Sequence, residues 1–249
     1  MSRNSLSKIF VKPEGFKPWM ALALPAWVFV GFMVAQVIVG LLLYLLNFLK
    51  IPLKNIDEPT IQTIGSLVIY LLSLGIVVGL PWLIKKYRTS KQEVGLDSHM
   101  TWTDLLLAPA GFIVYILLSF FLTLIASHFP FYNVDQVQDT GFAGLSHGYE
   151  YLLAFLTLVI VAPVSEEILF RGYLLGKLRK YVPVWAAILI TSLLFGLVHF
   201  AWNVSVDVFA LSIVLCLLRI QTGRLWPSIV LHMIKNGIAF YFLFINPLL

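Results

Sequence analysis

Long apolar runs separated by short polar segments order this chain. A bilayer core about 30 Å thick takes roughly 20 apolar residues of helix. Seven stretches fit that description: Leu22–Leu46, Ile61–Ile84, Asp104–Ser127, Glu150–Leu175, Val184–Trp202, Val206–Ile220 and Trp226–Leu243. The sixth is short, and the fourth is interrupted by charged residues. The pattern predicts an all-α fold, a polytopic integral membrane bundle of about seven transmembrane helices. No repeat, low-complexity tract or interdomain linker is visible, so residues 1–249 are expected to form a single membrane domain.

Composition agrees. Of 249 residues, 60% are hydrophobic and 12% charged. A water-soluble domain carries about 25% charged residues. The one cysteine, Cys216, cannot form an internal disulfide, and its apolar surroundings make it membrane filler. Mostly polar residues precede the first apolar run, with no cleavable signal pattern, so that run is expected to remain as an anchor.

The net charge of +5 does not indicate a nucleic-acid partner, because no basic run is long enough. The cations instead alternate between loops. Arg3, Lys8, Lys12 and Lys17 precede the first stretch. Lys85, Lys86, Arg88 and Lys91 follow the second, Lys177, Arg179 and Lys180 follow the fourth, and Arg219 and Arg224 flank the turn after the sixth. The loop after the first stretch has Lys50 and Lys54 offset by Asp57 and Glu58, and the loops around Phe131 and Asn203 have no cation. Positive charge stays on the cytoplasmic side, which predicts a cytoplasmic N-terminus. The loop from His128 to Tyr149, with Asp135 and Asp139, has the length of an outer cap or a plain connector. Gly75 and Gly79 form a small-xxx-small pair that predicts close helix packing.

Ionisable residues inside a span cost roughly 3 kcal/mol each on insertion scales, so they mark function by default. Away from the span ends these are Glu166, Glu167, Arg171, His199, His232 and Lys235, joined by the neutral Asn236. All lie in the fourth, fifth and seventh stretches. Residues 1–149 therefore read as scaffold spans and 150–249 as the functional ones. Lys235 is expected to snorkel or answer a carboxylate, and Asp207 and Glu150 to be interfacial.

Spacing separates the two glutamates. Glu167 and Arg171 are four apart and can pair on one helical face. Glu166 points about 100° away, out of Arg171's reach. Pro163 is expected to break or kink the helix, with Ser165 capping a new start. A carboxylate at such a start is favoured by the helix dipole. His232 and Asn236 share a face, as do Phe195 and His199. A carboxylate with a histidine can activate water as a general base. A second histidine with an amide can hold a developing oxyanion. Ser165 and Ser192 stand in no nucleophile-elbow context.

The run Glu166-Glu167-x-x-Phe170-Arg171-Gly172, then Phe195-x-x-x-His199, then His232-x-x-x-Asn236, resembles the three signatures of the CPBP intramembrane proteases. This family includes CAAX prenyl proteases of the Ras-converting type and the bacteriocin-processing or immunity proteins called Abi. The resemblance covers about Ala162 to Gly237 and implies an all-helical glutamic endopeptidase acting on a membrane-associated peptide or protein. It implies that Glu166 activates water with His199, that His232 and Asn236 form the oxyanion hole, and that Glu167 and Arg171 support them. It implies no cofactor. The short loops and the lack of an organelle signal fit a bacterial plasma membrane, in which prenylated substrates are not expected. Three other readings stand beside it. They are zinc held by Glu166, His199 and His232, though no H-E-x-x-H is present; a non-catalytic scaffold or immunity protein; and a small transporter. Counted at about 1.5 Å per residue from the inner ends, Glu166 lies roughly 15 Å deep, His232 about 9 Å and His199 about 22 Å.

Overall fold

The computed structural model describes residues 10–51, 56–84, 88–130, 132–133 and 144–246. Arg3, Lys8, Lys54, Lys85, Lys86, Phe131, Asp135 and Asp139, which entered the topology and loop expectations, lie outside the described residues.

The described chain is helical, with no strand among its residues. Six helices are long and apolar enough to cross a membrane: α1 (Met20–Phe48), α2 (Glu58–Leu83), α4 (Trp102–Ala126), α5 (Gly148–Leu178), α7 (Trp202–Thr222) and α8 (Trp226–Ile245). Between them lie a short capped turn, α3 (Lys91–Val94), and an apolar helix, α6 (Val184–Leu197). The protein is a multi-pass membrane protein. The seventh expected span is α6, and it is shorter than predicted. Its 14 residues rise about 21 Å, less than the hydrocarbon thickness. The helix stops at Leu197 rather than Trp202, because the backbone turns over 198–199 and Phe200 takes a left-handed φ of 54°. Helix α7 starts earlier than expected, at Trp202 rather than Val206.

The chain divides into two compact units. The first comprises residues 1–29, 89–138 and 167–232. Its core is leucine-rich: Leu169, Leu174, Leu175, Leu178, Leu211, Leu215, Leu225 and Leu231 are all under 2% exposed. Helices α6 and α7 approach closely at Gly196, where a β-carbon would stand 2.9 Å from the carbonyl oxygen of Ser205. The segment around α3 is tied beneath the α7–α8 turn. Leu225 donates its N–H to Gly95 O at 2.8 Å, Arg219 Nη2 donates to Glu93 O at 2.8 Å and Trp226 Nε1 to Ser98 O at 2.7 Å.

The second unit comprises residues 30–88, 139–166 and 233–249. Ala154, Val159 and Phe240 form its core, with Tyr151, Leu158 and Phe244 packed on them. The expected packing at Gly75 and Gly79 is not found. No described atom lies within 4 Å of a β-carbon built on Gly75, and Gly79 meets only Leu74 O at 3.9 Å. The pair instead bounds a π-wound turn, Gly75–Gly79. Close approach occurs at Gly31, where a β-carbon would lie 2.4 Å from Val77 Cγ2.

Helix α5 corrects the expectation at Pro163. The chain stays helical through the proline, so Ser165 caps no new start, and the dipole argument for Glu166 falls with it. The turn before the proline, Leu156–Val161, is π-wound, and so is Ile168–Leu174 after the glutamates. A wider i→i+5 turn accommodates a residue that lacks an N–H and crowds the preceding turn.

Candidate active site

In the first unit, Glu167 and Arg171 form the expected pair, Arg171 Nη1 donating to Glu167 Oε1 at 2.9 Å. Both side chains are fully buried. The seven-residue π segment Ile168–Leu174 is buried from Leu169 to its end, Phe170 and Arg171 included. Helix α8 brings His232 to the same carboxylate, its Nδ1 lying 2.9 Å from Glu167 Oε1. A carboxylate only accepts, so Nδ1 carries the proton and Nε2 is turned to the other side of the ring.

Phe195 organises the rest. It is 1% exposed. Its ring centroid lies 5.0 Å from that of Phe170, 5.2 Å from His199 and 5.9 Å from His232, all edge-on. The Arg171 guanidinium carbon sits 4.3 Å from the same centroid. One aromatic ring thus touches the cation and both histidines, and its negative face suits a guanidinium. His199 Nδ1 lies 2.8 Å from the carbonyl oxygen of Phe195. It must donate there, so Nδ1 carries the proton in this ring as well. His199 occupies the turn after α6 rather than a helix. Two histidines flanking one phenylalanine ring are closer in depth than a count along upright helices allows.

Glu166 and Asn236 belong to the second unit. Glu166 is part-buried, and its Oε1 accepts from the Tyr70 hydroxyl at 2.9 Å. Tyr70 was not among the expected residues. Its only trace in the sequence is a hydroxyl in the middle of the second apolar stretch, and nothing local links it to a glutamate far along the chain. Asn236 Nδ2 donates to Leu158 O at 2.9 Å, a carbonyl of the π-wound turn before Pro163. Glu167 bonds both Arg171 and His232, and Glu166 has a tyrosine partner.

Asp207 is also more than interfacial. It lies within α7 and accepts from the Tyr115 and Ser119 hydroxyls of α4, each at 2.6 Å. Glu150 caps the start of α5, accepting from the His147 N–H at 2.8 Å. A cavity of about 510 Å³ lies in the first unit at the α6–α7 connection, lined by Phe29, Leu194, Leu197, Phe200, Ala201, Trp202 and Ser205.

This geometry lies within a segment with known relatives. Residues 148–238 match the family model described as type II CAAX prenyl endopeptidase Rce1-like. That segment is similar to the CAAX-protease family. A membrane-embedded CAAX protease of Staphylococcus aureus, MroQ, is 30% identical over 94 residues, covering 35% of this chain and 38% of the relative. An uncharacterised 24.3 kDa protein of Escherichia coli is 34% identical over 98 residues, 37% of this chain and 45% of the relative. The Bacillus subtilis protein YyaK is 30% identical over 152 residues, 59% of this chain and 46% of the relative. The chain thus spans less than half the length of these curated relatives. No solved structure matches it significantly.

Proposed function

We propose that this chain is an intramembrane endopeptidase that hydrolyses a peptide bond in a membrane-associated peptide or protein without a metal. The orientation of both histidines supports this reading most directly. Each has Nδ1 held by an acceptor, the Phe195 carbonyl for His199 and the Glu167 carboxylate for His232. On this proposal, Nε2 is the nitrogen of each ring that acts on the substrate. In this reading the Glu166 carboxylate, with His199, takes a proton from water as the water oxygen bonds to the scissile carbonyl carbon. The carbonyl oxygen becomes an oxyanion, stabilised by the second amide hydrogen of Asn236 and by a doubly protonated His232, whose Nδ1–H stays on Glu167 while its Nε2–H donates to the oxyanion. The C–N bond then breaks, and the proton held by Glu166 passes to the departing amine. One water is consumed, and an acid and an amine are released.

Glu167 and Arg171 act as positioning residues, and the apolar cavity at the α6–α7 connection suits the hydrophobic side chains of a membrane-borne peptide. The relative named as a CAAX protease supports the same class of reaction. The alternation of loop cations supports a cytoplasmic N-terminus.

Zinc on Glu166, His199 and His232 is the second reading. The same Nδ1 contacts favour it, because metal-bound histidines donate their other N–H to a carboxylate or carbonyl.

Cells expressing wild type, Glu166→Gln or His199→Ala at matched levels, compared by mass spectrometry of peptide termini, test the proposal. New peptide ends made by wild type and absent from both variants support proteolysis and name the substrate. Identical termini in all three, with a wild-type phenotype retained by the variants, would replace it with a scaffold role. Cleavage by purified enzyme that survives exhaustive chelation excludes zinc, and cleavage lost on chelation and restored by zinc excludes the metal-free route.

A further inference from the structure

A second cluster of ligand-type side chains lies in the second unit, where α2 and α5 begin. Asp57, His147 and Glu150 each place one ligand atom within 4.8 Å of the other two. Asp57 is the residue before α2, and His147 the residue before α5. The cluster's accepting groups are already oriented. Glu150 Oε2 accepts from the N–H groups of Ser146 and His147, at 2.6 and 2.8 Å. The Tyr149 hydroxyl donates to Asp57, and the Tyr149 ring stacks on His147 with centroids 5.6 Å apart. Metal-binding carboxylates are commonly braced in this way by outer hydrogen bonds.

The observation that points to a ligand is the other oxygen of Glu150. The side chain is 1% exposed, and Oε1 has no hydrogen-bond partner among the described residues. A buried carboxylate oxygen left without a partner is costly and calls for an explanation. Helix capping accounts for Oε2 and not for Oε1. Asp57 and His147 are exposed, so an ion can reach the cluster from water.

We propose that Asp57, His147 and Glu150 bind a divalent cation of the zinc class. Two carboxylates and one imidazole make a mixed oxygen–nitrogen set. Imidazole selects zinc and its neighbours over calcium and magnesium, which prefer oxygen alone. Three protein ligands leave a fourth position for water. The ion joins the starts of α2 and α5, and α5 is the continuous helix that delivers Glu166. The site is distinct from the catalytic residues and does not depend on their role.

The test is calorimetric titration of Zn²⁺ into the full chain in detergent micelles. The protein is stripped with chelator and carries no polyhistidine tag. Wild type is expected to bind one Zn²⁺, and Ca²⁺ or Mg²⁺ at the same concentration is expected not to compete. Asp57→Asn and His147→Gln are each expected to weaken binding at least tenfold, with circular dichroism and gel-filtration profiles unchanged. Glu150→Gln removes a helix cap and is therefore not the deciding variant. A Glu166→Gln/His199→Ala double variant is expected to bind Zn²⁺ as wild type does. Zinc is also expected to raise the thermal midpoint of wild type and not of His147→Gln, since a ligand stabilises the state it binds. Absence of Zn²⁺ binding by wild type would overturn the proposal. So would binding that persists in both single variants or that is lost only in the double variant.

Discussion

His232 and Arg171 meet at one atom, Oε1 of Glu167, each through a nitrogen 2.9 Å away. The carboxylate is fully buried and belongs to a helix other than that of His232. Breaking such a pair by removing one partner leaves an uncompensated buried charge, at a cost of about 3–5 kcal/mol. Replacing both partners with apolar residues of similar size is often nearly neutral. Glu167→Leu and Arg171→Met are therefore each expected to be strongly destabilising, and the double variant to recover most of the loss. Denaturant unfolding in micelles measures this as a double-mutant cycle. Activity is not expected to recover with stability, because His232 loses its acceptor in the double variant. A double variant that loses the sum of the two single losses would show that the contact is incidental.

Phe195 provides a separate test. Its ring touches Arg171, His199 and His232, while its backbone carbonyl accepts from His199. Phe195→Leu keeps the carbonyl and much of the volume but removes the ring. The cation–π contact alone is worth about 0.5–2 kcal/mol. The expected result is a fall in kcat of about tenfold, equivalent to about 1.4 kcal/mol, with KM little changed. Steady-state kinetics on a cleavable peptide would check it. A rise in KM at constant kcat would assign Phe195 to substrate binding instead.

The parts of this arrangement visible in the sequence are the local ones. Glu167 and Arg171 are one helical turn apart, and that spacing alone predicts their contact. His199 and His232 stand out because ionisable groups are expensive among apolar neighbours. The partner of Glu167 on α8 was not legible, because nothing in a one-dimensional pattern states which helix faces which. The same holds for Tyr70 with Glu166 and for Tyr115 and Ser119 with Asp207. The π-wound turns on both sides of Ala162–Glu167 were hidden for another reason. A proline in an apolar run signals disturbance without saying whether the helix stops or widens. The early end of α6 depends on the left-handed backbone of Phe200, a conformation rarely adopted by a bulky residue.

Tyr70 gives the third prediction. Its hydroxyl is a donor to the Glu166 carboxylate at 2.9 Å. A hydrogen bond to a charged group is worth about 1.5–3 kcal/mol. Tyr70→Phe removes only the oxygen, so the fold should survive, while kcat falls by roughly tenfold to a hundredfold. Tyr70→Phe combined with Glu166→Gln should be no worse than Glu166→Gln alone, since the donor then has no carboxylate to orient. Kinetics of the single and double variants decide this, and additive losses would separate Tyr70 from Glu166.

The last prediction concerns pH and the segment around α3. Glu93 caps α3 through the Ser90 N–H and pairs with Lys180, and Lys177 Nζ stands 3.8 Å away. Partial burial raises its carboxyl, but the Lys180 and Ser90 hydrogen bonds and the two lysine charges outweigh that and hold it below the usual range. A carboxyl depressed in the folded state contributes stability that is fully present above its unfolded value, about 4.3. That contribution fades as pH falls through the folded value. Wild type should therefore lose stability between about pH 5 and pH 3 more steeply than Glu93→Gln, with the two curves running parallel at neutral pH. Lys180→Met should flatten the wild-type curve in the same direction. Thermal midpoints measured across that range test the idea. A Glu93→Gln curve as steep as wild type would move the acid sensitivity to another carboxylate.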